Sequence, residues 1–156
     1  MSSQSFCPFM SRSARLVDWV PALALMVLIF VASSRPENAL PQFGIWDYAL
    51  KKLGHVVGYG FLGAAYFHAF RAAQARSREP GAGQVVTSPE APPGVRMSVA
   101  LAWFLALVYA STDELHQRFV PGRHGSLLDI LVFDGLGAAL GALALWAVRH
   151  ARERLR

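Results

Sequence analysis

Charge is what this chain has least of. Only 16% of its 156 residues are Asp, Glu, Lys or Arg, where a soluble domain carries roughly 25%. Apolar residues make up 54%, so there is too little polar surface to cover a water-facing globule. The charges also avoid long windows. Residues 19–34, 53–70 and 97–112 hold none, and 130–148 holds only Asp134. With interfacial flanks added, each window approaches the roughly 20 residues needed to cross a hydrocarbon core. That profile excludes a disordered chain and a disulfide-rich secreted domain, and it argues against a soluble enzyme.

Cysteine is nearly absent as well. Cys7 stands alone, so it forms no internal disulfide and no Cys-based metal site. No lipoprotein-like small-residue box surrounds it, and it reads as a plain thiol. Acidic residues are outnumbered, giving a net charge of +5. Such an excess suits nucleic-acid binding, but here the arginines cluster beside apolar segments, where they orient helices. Basic stripes interleaved with base-stacking aromatics are missing. Nucleic acid is therefore not an expected partner.

What is present is an all-α pattern: a polytopic membrane protein with four transmembrane helices in a small bundle. A polar segment, 1–15, precedes a membrane domain over 16–148 and a basic tail over 149–156. The first span runs from Leu16 to about Ser33, with Pro21 in its first turns. Its start resembles a signal peptide, and Val31-Ala32-Ser33 suits a small-residue cleavage site. Its length favours an uncleaved signal anchor. The second span, about 50–70, is rich in glycine. Loop 71–97 is Arg-, Pro- and Gly-containing and is expected to be flexible. The third span runs from about Met97 into Asp113–Gln117, and Pro121-Gly122 breaks it. The fourth runs from near Ser126 to Val148.

Ten of the 15 Lys and Arg residues flank one side of these spans, in 1–15, 71–97 and 149–156. Arg35, Lys51, Lys52, Arg118 and Arg123 flank the other. The basic side is the cytoplasmic one, which puts both termini inside and loops 34–51 and 113–126 outside, in an inner or cytoplasmic membrane.

The unusual polar residues then share the outer boundary. Lys52, His55 and Tyr59 are spaced three and four apart, on one helical face. The third span ends in Asp113, Glu114, His116 and Gln117, and Arg123 leads to Ser126 and Asp129. Ionisable groups at such depth are costly unless paired or facing a wet cavity, which makes them functional candidates.

The run Lys52, His55, Tyr59, Leu62 resembles the Lys-x-x-His-x-x-x-Tyr-x-x-Leu segment of the VanZ-like family. Ser111 to Arg123, with Asp113, Glu114, His116, Gln117, Phe119, Pro121 and Gly122, resembles that family's second signature, and Asp129 follows at about the expected distance. The resemblance covers about 16–148, with loop 71–97 longer and more basic than expected. The family usually carries an Asn or Asp four residues after the fourth-helix Asp. Here Asp134 is five residues on, about 140° round an α-helix, so the two are not expected to face one site. The resemblance implies a cell-envelope setting, its namesake being associated with low-level resistance to the glycopeptide teicoplanin. It implies no particular reaction.

Each candidate also has a plainer reading. Ser126-x-x-Asp129 fits a capping box. His55 suits a hydrogen bond to a neighbouring helix, and Lys51, Arg118 and Lys52 suit snorkelling to headgroups. His124 and Glu114 suit solvated loop positions. Gly54/Gly58 and Gly137/Gly141 suit packing contacts, or glycine-rich faces for a homo-oligomer, and His68 is remote from the cluster. Taken together, nine costly groups at one membrane edge strain those readings.

Three functions stay open. The first is an enzyme acting on a lipid phosphate or lipid-linked cell-wall precursor. In it Lys52 and Arg123 hold the anion, and His55, Asp113 and His116 transfer protons, with Tyr59, Glu114, Gln117 and Asp129 completing the ligand site. A metal is the weaker variant, because Asp-Glu-x-His lacks zinc-motif spacing, and the identity of any cofactor stays open. The second is a non-catalytic envelope binder that limits antibiotic access. The third is a small transporter, for which four spans without an internal repeat are a poor pathway.

Overall fold

Proline and serine bracket the first helix. In α1 (Val20–Ser33), Pro21 occupies the first turn, where its missing N–H costs nothing. Ser34 closes the other end by donating its hydroxyl to Phe30 O at 2.7 Å. A 3-10 turn at Gly44–Trp46 leads into α2 (Asp47–Arg76), and α3 spans Val95–Gln117. The chain then turns at Gly122, whose φ of 77° is a left-handed conformation that favours glycine. It re-enters through a π-helical turn, Asp129–Asp134, that continues directly as α4 (Gly135–Arg154). This computed structural model describes residues 16–36, 44–76, 94–123 and 126–155. Segment 1–15 with Cys7, most of loop 71–97 and His124 lie outside the described residues.

The described chain is all-helical. Two helices are long and apolar enough to cross a membrane: Val95–Gln117, with mean hydropathy 1.5, and Asp129–Arg154, with 1.9. Val20–Ser33 is apolar but shorter. Helix α2 is long enough, but its glycines, histidines and terminal charges dilute its apolar character. It also extends past Phe70 to Arg76, and α3 begins at Val95, so both helices reach into the expected loop 71–97.

Small residues hold the bundle together. Ala102, Ala106 and Ala110 recur every four positions on α3 and are buried. Helix α4 packs most closely on α2. A Cβ on Gly63 would collide with the Ala138 backbone, one on Gly137 with Val56, and one on Gly141 with Gly60. These glycines let two backbones touch, the mode of close approach found where lipid surrounds a bundle. Gly54 and Gly58 differ from that expectation. Among the described residues, a Cβ on Gly54 would meet nothing within 4 Å, and one on Gly58 only Ile29 at 3.8 Å. Larger side chains fill the remaining core, with Tyr59, Leu62 and Phe67 fully buried.

Candidate functional site

Helix α2 presents its polar face to the start of α4. Lys52 donates to the Asp129 carboxylate, and its ammonium lies 5.1 Å from the ring centres of both Tyr48 and Phe133. One turn deeper, His55 Nδ1 lies 2.8 Å from Asp134 Oδ1. With the imidazole donating, Nδ1 carries the hydrogen and Nε2 remains as the second ring nitrogen. Both carboxylates therefore face α2, against the sequence expectation. The reason is the π-helical turn over Asp129–Asp134. Its i→i+5 bonding brings residues five apart onto one face, where an α-helix would splay them.

The capping box is also overturned. Asp129 is paired with Lys52, and the Ser126 amide donates instead to the Glu114 carboxylate. Glu114 is thus buried, not a solvated loop group, and it ties the end of α3 to the chain entering α4.

A second node forms on Asp113, which is 3% exposed. Its Oδ2 accepts from Ser33 Oγ at 2.9 Å, Gln117 Nε2 at 2.9 Å and, more distantly, Tyr59 OH at 3.4 Å. Three helices are stitched together by one oxygen. Tyr59 joins this node to the first, since the His55 ring stacks on it at 6.2 Å with the planes 14° apart. Two buried oxygens, Asp113 Oδ1 and Asp134 Oδ2, have no hydrogen-bond partner among the described residues. Orphaned carboxylate oxygens are costly and need a reason.

His116 goes elsewhere. Ser34 gives its proton to Phe30 O, so His116 Nε2, 3.0 Å away, donates to the Ser34 oxygen. Its ring lies against Phe30, with centroids 4.6 Å apart. It braces α3 on α1, whereas His55 lines a cavity of about 250 Å³ between α1 and α2. The other polar lining groups are Ser33, Lys51, Tyr59 and Arg123. Arg123 also reaches the carbonyls of Ala32 and Arg35, at 3.5 and 3.4 Å.

The polar residues of both sequence motifs thus converge on neighbouring helix ends in one bundle. A family model for VanZ/LLP1 matches residues 11–149, nearly the whole chain. The chain belongs to the VanZ-like family. Neither the curated proteins nor the solved structures contain a match. No group of three or more His, Cys, Asp and Glu side chains among the described residues is placed to hold a metal ion.

Sequence reasoning missed four contributors to this VanZ-like site. Ser33, which the sequence places in a cleavage site, and Ser34, to which it gives no role, bond Asp113 and His116. Their signal was two consecutive hydroxyls at the end of an otherwise apolar helix. The α-helical angle separates Asp134 from Asp129 on sequence grounds, although a carboxylate inside an apolar window is itself a signal. Lys51 suits headgroup contact by sequence, yet it is Lys51, not Lys52, that lines the cavity beside Arg123.

Proposed function

We propose that this VanZ-like protein spans the cell membrane with four helices and both termini in the cytoplasm. Its cavity then lies at the outer boundary and takes the phosphate of a lipid or of a lipid-linked cell-wall component. The large apolar side chains left on the outside of the bundle support immersion in lipid. Leu28 is 64% exposed, Phe61 63% and Leu131 63%, large apolar side chains that lipid would cover. Orientation follows the Lys and Arg asymmetry.

The observation that carries the site reading is the cavity's lining. Lys51 and Arg123 supply positive charge, and His55 stands beside them with Asp134 on its Nδ1. A carboxylate that fixes one imidazole nitrogen orients the other for proton transfer. Nε2 can take a proton from a water attacking a phosphate ester or return one to the departing oxygen. Asp113 and His116 act as positioning groups, because their hydrogen bonds hold α1 and α3 together.

A second reading, a non-catalytic binder that shields an envelope component, is favoured by the engagement of Asp113, Glu114 and Asp129 in internal bonds. One comparison separates the two. Arg123→Ala should weaken binding of a prenyl phosphate in lipid nanodiscs by about tenfold or more, the loss of a charge-assisted bond. His55→Gln should keep binding but abolish turnover and protection against a glycopeptide such as teicoplanin. If His55→Gln protects fully while Arg123→Ala does not, the binder reading replaces the enzyme. Unchanged binding by Arg123→Ala would remove the anion site. Reporter fusions at Gln84 and Arg156 should read cytoplasmic and one at Gln42 exoplasmic; an exoplasmic Arg156 would invert the site.

A further inference from the structure

Two adjacent stripes of α2 line the cavity. Lys51, His55 and Tyr59 form one, and Leu50, Gly54 and Gly58 form the other, each spaced by four and so stacked along the helix. The first stripe is polar and the second offers only C–H and backbone surface. Across from them, Ile29 and Ala32 of α1 add hydrocarbon. From Leu50 to Gly58 the apolar stripe descends about 12 Å along the helix axis, away from the cations at the mouth.

The two glycines are what leave the slot open. Where glycines of this chain serve helix contact, as at Gly63, Gly137 and Gly141, an added Cβ strikes opposing backbone. Among the described residues, an added Cβ at Gly54 meets nothing within 4 Å, and one at Gly58 meets only the side chain of Ile29. No described helix packs into that room. The flanking surfaces of α1 and α2 are apolar and outward-facing, with Val31 49% and Val57 48% exposed, so the slot is bordered by surfaces suited to hydrocarbon.

We infer that the ligand is a single-chain lipid phosphate whose hydrocarbon chain lies along Gly54 and Gly58 while its phosphate sits at Lys51 and Arg123. This rests on the anion-site reading for the headgroup, but the chain slot has its own observations and its own test. A water-soluble phosphate would have no use for the apolar stripe. A two-chain glycerophospholipid would have to leave one chain outside a cavity of about 250 Å³.

The test is a competition series with isopentenyl, geranyl and farnesyl monophosphates on the full-length protein in nanodiscs. Binding to the wild type should tighten with chain length. Gly54→Leu places its side chain in the slot from a Cβ that meets nothing within 4 Å among the described residues, so it should flatten that dependence and weaken farnesyl phosphate by about tenfold, with isopentenyl phosphate affected least. Gly58→Ala, a milder intrusion, should act in the same direction. Arg123→Ala should weaken all three alike. Equal chain-length dependence in wild type and Gly54→Leu overturns the slot, even if Arg123→Ala behaves as expected. Unaltered binding in Arg123→Ala with a flattened series in Gly54→Leu removes the anion reading and keeps the slot. Failure of the wild type to bind any of the three overturns both, whereas dioleoyl phosphatidic acid competing as well as farnesyl phosphate overturns the single-chain assignment.

Discussion

Replacing Gly141 by Ala adds one methyl group at the tightest point of the bundle. That methyl would fall on the Gly60 backbone, with the carbonyl oxygen nearest. A long side chain there could swing aside, but a helical carbonyl is fixed by its own hydrogen bonding. The helices α2 and α4 therefore have to separate. Overpacking of this kind costs about 1–3 kcal/mol. Separation also draws α2 away from the start of α4, where Lys52–Asp129 and His55–Asp134 form. Disturbing two pairs that leave little charge exposed adds to the loss. At about 3 kcal/mol the folded-to-unfolded ratio falls more than a hundredfold.

Thermal unfolding in detergent, followed by tryptophan fluorescence, measures this directly. Trp103 is a suitable reporter because its indole N–H bonds Gly135 O at 3.1 Å, beside the junction between the π-helical turn and α4. Gly54→Ala is the matched control, with the same added methyl and nothing within 4 Å to meet it. Gly63→Ala, directed at the Ala138 backbone, should behave like Gly141→Ala. Equal stability of Gly141→Ala and Gly54→Ala would refute backbone contact as the basis of the α2–α4 interface.

Three further outcomes follow from the site. Lys52→Asp alone should destabilise by about 3–5 kcal/mol, as for breaking one side of a buried pair, since the two side chains are only 17% and 15% exposed; adding Asp129→Lys should recover much of it in the same unfolding assay. Ser33→Ala removes one donor from the Asp113 oxygen and should cost about 1–3 kcal/mol, while leaving the chain-length series for prenyl phosphates intact. Glu114→Ala frees the Ser126 amide, so limited proteolysis between Arg118 and Leu128 should accelerate with little change in the rest of the chain.

The charge-free windows made the helices legible, because an apolar run admits few alternatives once strands and disorder are excluded. The proximity of Lys52, His55, Asp113 and Asp129 was legible too, since motif order along the chain places them at neighbouring helix ends. Pairing was not. Nothing in residue spacing says that Asp129 takes Lys52 and not the Ser126 amide, or that Glu114 supplies the cap instead. Those choices depend on the approach of α2 to α4, which Gly60 and Gly141 set through backbone contact. The role of Gly54 was hidden for the same reason. Glycine at a four-residue interval looks alike whether it faces a helix or a cavity, and only the position of the opposing helix distinguishes them.

The π-helical turn is the feature that turns a list of costly groups into a site. In an α-helix, Asp129 and Asp134 would diverge by about 140°, and one would be buried without His55 or stranded without Lys52. Widening the turn by one residue restores a common face, at the expense of a backbone form that is rare and concentrated at functional positions. The two pairs it creates do different things. Lys52–Asp129 neutralises a cation near the start of α4 and pins α2 to α4. His55–Asp134 leaves Nε2 of a cavity-lining imidazole as its second nitrogen. With Lys52 engaged by its own carboxylate, the cations in the cavity lining are Lys51 and Arg123. Two cations set around a partly apolar slot are what the proposed amphiphilic anion requires.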